Sequence, residues 1–222
     1  MKKEKIEYFE KLFLAMLVGA FFGLVIEEVF LFFRGIILNY ERDNWVFYRS
    51  LMYGPLSPVY GIGAAVLTIF FAGKNYTVKK IFLLSSLLGG AVEFIVNYIQ
   101  EQMYGVVSWD YTSDFLNICG RTKITYMIGF GLIGVVFIKL VYPLIEKLYY
   151  KLNIIIRKTI VYCLLIFTIF NVAISIYALE RYYDRTEGIK ANSDIDLFLD
   201  KYYPDNIVKK HVTKMKPMLK KG

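Results

Sequence analysis

Residues 12–33 read LFLAMLVGAFFGLVIEEVFLFF, and the reading of this stretch decides the fold. As a helix rising 1.5 Å per residue it outreaches the roughly 30 Å hydrocarbon core of a bilayer. Its only charges are the adjacent Glu27 and Glu28, so nearly its whole surface prefers lipid to water. Lys2, Lys3, Lys5 and Lys11 precede it and Arg34 follows it, where cations sit at headgroup depth. The run is longer than a secretory-signal core and lacks a small-residue cleavage site, so it reads as a retained first helix.

Four further stretches repeat the pattern, at 53–73, 80–100, 124–145 and 159–179, each with few charges. The expected fold is all-α: a multipass transmembrane bundle of about five helices over residues 1–179, with a polar, basic tail over 180–222. The second span is the least regular. It opens Tyr53-Gly54-Pro55-Leu56-Ser57-Pro58-Val59-Tyr60-Gly61, and its two prolines and two glycines delay or break the helix. Irregular backbone at membrane depth has to be covered by protein or water. In the tail, residues 194–204 suggest a short amphipathic helix ending near Pro204.

Composition agrees, with 57% hydrophobic and 18% aromatic side chains and a mean hydropathy of +0.46, too apolar for an ordinary soluble domain. The net charge of +8 raises the question of nucleic acid. Because the cations crowd the ends of the apolar runs, they suit anionic lipid headgroups and exclude a nucleic-acid partner. Cys119 and Cys163 have neither CxxC spacing nor a nearby histidine.

With the amino terminus inside, eleven Lys and Arg flank the helices inside and eight outside, but counting the whole tail raises the outside set to fifteen. Absolute orientation therefore stays open under the positive-inside rule. One relation holds either way: loops 34–52 and 101–123 share a face, because two helices separate them.

Within the first helix Ala15, Gly19, Gly23 and Glu27 recur every four residues, placing three small residues and a carboxylate on one stripe. The third helix repeats this with Ser85, Gly89, Glu93, Asn97 and Glu101. These helices run the same way, which sets Glu27 and Glu93 at similar depth and makes them candidates for a common buried polar site. A carboxylate near the bilayer centre costs about 2.5–3.5 kcal/mol, so it persists when partnered or functional. Arg34, Arg49 and Arg121 are the candidate partners, and helix packing alone is the competing reading. Glu28 points elsewhere and is expected to cap an interfacial cluster. Thr168, Asn171 and Ser175 share a face of the fifth helix as interhelical glue.

In the outer loop, Trp109-Asp110-Tyr111 and Asn117-Ile118-Cys119-Gly120-Arg121 put aromatics at interface depth beside an acid, an amide and a guanidinium. An interfacial anchor and turn explains them equally well. His211 is the single histidine, so neither a zinc site nor a histidine-based triad can be assembled. No GxxxxGK[ST] loop occurs, so the chain hydrolyses no ATP through a P-loop of its own. No cofactor is expected.

On these residues the chain resembles the bacterial ABC transporter permeases of the CmpB type, type IV, over roughly residues 20–145. The landmarks are Gly23 to Glu27, the Arg49 to Gly61 stretch with its Tyr-Gly-Pro-x-x-Pro-x-Tyr-Gly core, Glu93, Trp109-Asp110-Tyr111, and Asn117 with Gly120-Arg121. It departs from the family pattern at Leu24 and at Tyr48-Arg49-Ser50. The resemblance implies a permease subunit in the bacterial plasma membrane.

Three functional readings follow. The favoured one is a permease subunit served by a separate ATPase, with Glu27, Glu93, Arg49, Asp110, Asn117 and Arg121 as substrate- or ion-path candidates. The second is a membrane-embedded enzyme on a lipid or envelope precursor, with a carboxylate as acid or base and Arg49 and Arg121 holding phosphate. The third is a non-catalytic scaffold. A homo-oligomer through the small-residue faces is an open alternative.

Overall fold

A computed structural model describes residues 2–37, 51–212 and 216–217. The first apolar run extends into a 36-residue helix α1, Lys2–Ile37. Next come α2 (Pro58–Phe71) and α3 (Val78–Tyr104). A loop with short strands β1 (Val106–Val107), β2 (Asn117–Ile118) and β3 (Thr122–Lys123) leads to α4 (Ile124–Val136). A π-helical turn, Phe137–Val141, joins α4 to α5 (Tyr142–Lys151). Helix α6 (Ile154–Thr186) is followed by α7 (Asp194–Tyr202), α8 (Asp205–Val212) and β4 (Lys216–Pro217).

Among the described residues, four helical segments are long and apolar enough to cross a membrane: Lys3–Phe33, Val78–Met103, Ile124–Lys151 and Ile154–Thr186. The protein is a multipass membrane helical bundle. The second expected span differs, because only Pro58–Phe71 is helical there, 14 residues long. That is about 21 Å at 1.5 Å per residue, short of the hydrocarbon thickness. The cause is the predicted one: Pro58 starts the helix after an extended Ser57, and Gly54 at φ 75° turns the chain before it. The π turn has a similar local cause, since Pro143 has no N–H for the helical ladder and an inserted residue relieves its ring.

The small-residue stripes are used within the chain. A Cβ at Gly19 would overlap Ala64, and one at Gly23 would overlap the Tyr60 ring, so α1 and α2 touch along their backbones. On α3, Gly89 lies against Phe130 of α4 and Gly90 against Met127. Any homo-oligomer therefore has to use other surfaces than these two stripes. The buried apolar cluster of Ala15, Ala64, Phe71, Ile81, Phe137 and Tyr142 fills the centre between α1, α2, α3 and the π turn. Outward residues such as Leu83, Leu132 and Ile166 are exposed, as lipid solvation of the outer surface requires.

The irregular lead into α2 is covered by protein. Asn171 of α6 accepts from the Tyr53 amide at 3.0 Å and donates to the Tyr53 carbonyl at 2.6 Å. Ser175 accepts from the Met52 amide at 2.9 Å, and the Ser57 amide donates to the Ala20 carbonyl at 3.1 Å. Asn171 and Ser175 thus serve as substitute ladder partners for backbone that no helix satisfies, a more specific task than glue. Thr168 instead donates to Leu164 of its own helix at 2.8 Å.

The tail folds back. Helix α7 ends at Tyr202, two residues before Pro204, and opens with a Ser193 capping box closed by Asp196. Its Leu199 and the following Tyr203 pack with Met52, Ala178 and Val208. Strand β4 pairs antiparallel with β1, Val106 opposite Pro217, so tail and outer loop share one side.

Candidate functional site

The site grows from one face of α3. Glu93, Asn97 and Glu101 recur every four residues and stack along that face. Glu93 is 6% exposed and Asn97 2%. The loop from 105 to 123 closes over them. Glu93 accepts from the Tyr111 hydroxyl at 3.1 Å and from the Thr122 hydroxyl at 2.5 Å. Asn97 donates to the Trp109 carbonyl at 2.7 Å and accepts from Arg121 at 2.9 Å. The other guanidinium nitrogen pairs with Glu101, while the Trp109 indole donates to the Arg121 carbonyl at 2.7 Å. The α3 stripe therefore holds the loop at Tyr111 and Thr122 through Glu93 and at Trp109 and Arg121 through Asn97, with Arg121 shared with Glu101.

A hairpin with three residues, Cys119 to Arg121, between its paired positions gives the loop this shape. Strands β2 and β3 pair antiparallel, Ile118 opposite Thr122, and the Arg121 amide donates to the Ile118 carbonyl at 3.0 Å. Cys119 and Gly120 both have positive φ, 53° and 69°, the requirement of a type I′ turn. Gly120 is further constrained because a Cβ there would run into Thr112. Asn117 braces the turn, accepting from the Gly120 amide at 2.8 Å and donating to the Asp114 carbonyl at 2.9 Å.

Opposite the loop stands Tyr60, in the first turn of α2. It hydrogen-bonds to Glu27 of α1 and also senses the charge of Glu93. Glu93 in turn senses Glu27 and Lys123. Lys123 is buried, pairs with Asp114, and lies over the rings of Tyr126 at 4.1 Å and Tyr111 at 4.9 Å. Burial, reinforced by the neighbouring Glu93 charge, pushes the Tyr111 phenol well above its ordinary value. The phenol stays protonated throughout the physiological range. Two carboxyl groups, a ring of hydroxyls and one ammonium thus converge between α1, α2, α3, α4 and the loop.

Of the expected site residues, the structure gathers Glu27, Glu93 and Tyr60. Arg121 lies next door, committed to Glu101 and Asn97 rather than to Glu27 or Glu93. Asp110 is exposed and accepts from the Thr112 amide at 2.9 Å, an Asx turn, and Asn117 has the bracing role above. Tyr53 sits apart, its hydroxyl 2.6 Å from that of Tyr203. Gly54, Pro55, Pro58 and Gly61 shape the lead into α2, with Gly61 against Met16 and Ala20 of α1. Arg49 lies outside the described residues.

Glu28 corrects an expectation. Expected to be an interfacial residue, it is 1% exposed, on the buried row of Ala20 and Leu24; that i, i+4 row was readable in the sequence. Thr122, Lys123 and Tyr126 were missed as cluster members, because nothing in sequence spacing ties a loop hydroxyl to a glutamate 29 residues earlier.

No curated protein and no solved structure matches the chain. Residues 14–176 match the CmpB family, described as "Putative ABC-transporter type IV", a span that takes in every residue of the polar cluster, and the chain belongs to that family.

Proposed function

We propose that this chain is the permease subunit of an ABC-type transporter in a bacterial plasma membrane, working with separate ATPase chains. The cluster of Glu27, Tyr60, Glu93, Tyr111 and Lys123 lines the substrate or ion route. One observation carries this reading. Glu93 is buried within a membrane-spanning helix, and its direct partners are the hydroxyls of Tyr111 and Thr122. Lys123, whose charge also bears on Glu93, pairs with Asp114. A carboxylate so placed is costly, and intramembrane carboxylates of this kind mark transport pathways. The sequence holds no GxxxxGK[ST] phosphate-binding loop, which supports the reading that a separate chain hydrolyses ATP. The enzyme reading is weaker because Arg121, one of its two expected phosphate holders with Arg49, is occupied by Glu101 and Asn97.

The test is purification of the tagged protein in mild detergent, identification of stoichiometric partners, and comparison with Glu93→Gln. A copurifying ATPase whose ATP-driven flux in proteoliposomes is lost in Glu93→Gln supports the reading. An intact complex without any ATPase overturns it.

A further inference from the structure

Helices α3 and α4 run antiparallel and touch through small residues. A Cβ at Gly90 would meet Met127, one at Gly89 Phe130, one at Gly131 Ser86 and Phe82, and one at Gly134 Ser85. The contacts thus descend α3 towards its start as they advance along α4. Past Gly134 the small residues end, and Val78, Phe82 and Leu83 of α3 with Leu132, Val135 and Val136 of α4 line a groove of about 480 Å³. Its only other lining residue is Lys79, so water within it finds almost no polar partner. Leu83, Leu132 and Val136 are 60, 59 and 50% exposed, which opens the groove to the outside of two spanning segments.

One end of the groove is basic. Val78 opens the apolar spanning segment of α3, and Lys79 and Lys80 stand in its first turn. Lys80 lies over the Tyr76 ring at 4.2 Å. Lys139, in the π turn that follows Val135 and Val136, donates to the Tyr76 carbonyl at 3.3 Å. Tyr76 therefore gathers two lysines beside the one that lines the groove. All three are exposed, and among the described residues none forms an ion pair. No Asp or Glu occurs in 51–92 or in 122–145, and Glu146, the next acid along, is bonded to Lys11 at 2.6 Å. An ammonium has three donors, so a single carbonyl or ring leaves Lys80 and Lys139 able to bind an anion. Cations at the end of a spanning helix sit at headgroup depth, and basic pockets between spanning helices bind acidic headgroups.

We propose that the groove and its lysines form a binding site for one anionic phospholipid, with an acyl chain lying between α3 and α4 and the phosphate held by Lys79, Lys80 and Lys139. The occupant is a lipid because the groove is apolar and opens on the outward side of two spanning helices. It is an anionic lipid because the cations at the mouth have no acid of the protein to pair with, and a zwitterionic headgroup would bring its own ammonium against them. The inference is independent of the transport reading.

The test is native mass spectrometry of the full chain, released from detergent after titration with phosphatidylglycerol or with phosphatidylcholine of the same acyl chains. The expected result is one phosphatidylglycerol retained per chain, at a several-fold lower lipid concentration than phosphatidylcholine requires. Lys79→Gln with Lys139→Gln should weaken retention roughly ten-fold or more. Lys147→Gln with Lys158→Gln, a control pair of exposed lysines on α5 and α6, should leave it unchanged. Leu83→Trp and Val136→Trp fill the groove from opposite walls at exposed positions and should each displace the lipid with the lysines intact. Equal retention of the two lipids or an equal loss in the control pair overturns the proposal. So does undiminished retention in either tryptophan variant that keeps the wild-type thermal midpoint. A stable wild-type dimer that the tryptophan variants dissociate also overturns it, because a second copy then covers the groove.

Discussion

The bundle buries a carboxylate under a phenol at each end, and the two differ in what stands behind it. At the amino-terminal end, Glu10 is fully buried and accepts from Tyr149. Arg157 lies over the Tyr149 ring at 3.9 Å, 3.9 Å from Glu10 and 3.4 Å from Glu7, with Lys11 bonded to Glu146 at 2.6 Å alongside. At the loop end, Glu93 has two hydroxyls, another carboxylate within reach, and a lysine that already has a partner. The first is a fastener tying α1, α5 and α6, its charge met by an adjacent guanidinium. The second is held by hydroxyl donors that can exchange partners. The lesson is that burial of an acid does not by itself mark a functional site; what differs between the two is the guanidinium beside Glu10, which Glu93 lacks, and the proposed function rests on that difference.

The largest expected effect breaks the fastener. Arg157→Leu strands Glu10 in the bundle and costs about 3 kcal/mol or more, read as a fall in the thermal midpoint of the detergent-solubilised protein. An unchanged midpoint removes the contrast drawn above.

Next comes the clamp of the tail on α6, in which Asp200 of α7 accepts from Arg181 at 2.9 Å and from Arg185 at 2.7 Å. Its hydrogen bonds to Arg181 hold the Asp200 carboxyl down at about 2, and those to Arg185 reinforce this. Because the folded value is depressed, the clamp's contribution is complete above the unfolded value near 4 and is lost as pH falls through about 2. Tryptic cleavage after Lys190, compared after brief exposure to pH 5 and to pH 2, should rise only at the lower pH.

The smallest effect on stability is expected at the site itself. Glu93→Gln keeps an acceptor and gains a donor for the same hydroxyls, so the midpoint should move by about 1 kcal/mol equivalent or less. A collapse as large as that of Arg157→Leu makes Glu93 a second fastener.

Much of the architecture was legible because lipid imposes a simple rule: a long apolar run with cations at its ends becomes a spanning helix. The four-residue stripes on α1 and α3 named Glu27, Glu93, Asn97 and Glu101 because helical periodicity alone puts them on one face. The delay of α2 to Pro58 followed from proline's missing donor. The partner of that irregular backbone was not legible, because Asn171 lies 118 residues from Tyr53 and only packing brings α6 beside it.

The sequence by itself determined a multipass membrane helical bundle and which helix faces carry the acids. These are local consequences of solvent and helical period. Tertiary structure decided which acid is a fastener, which hydroxyls meet Glu93, that Arg121 belongs to Glu101, and that the tail docks on α6. Those pairings depend on distances between segments remote in the chain, and no local pattern encodes them.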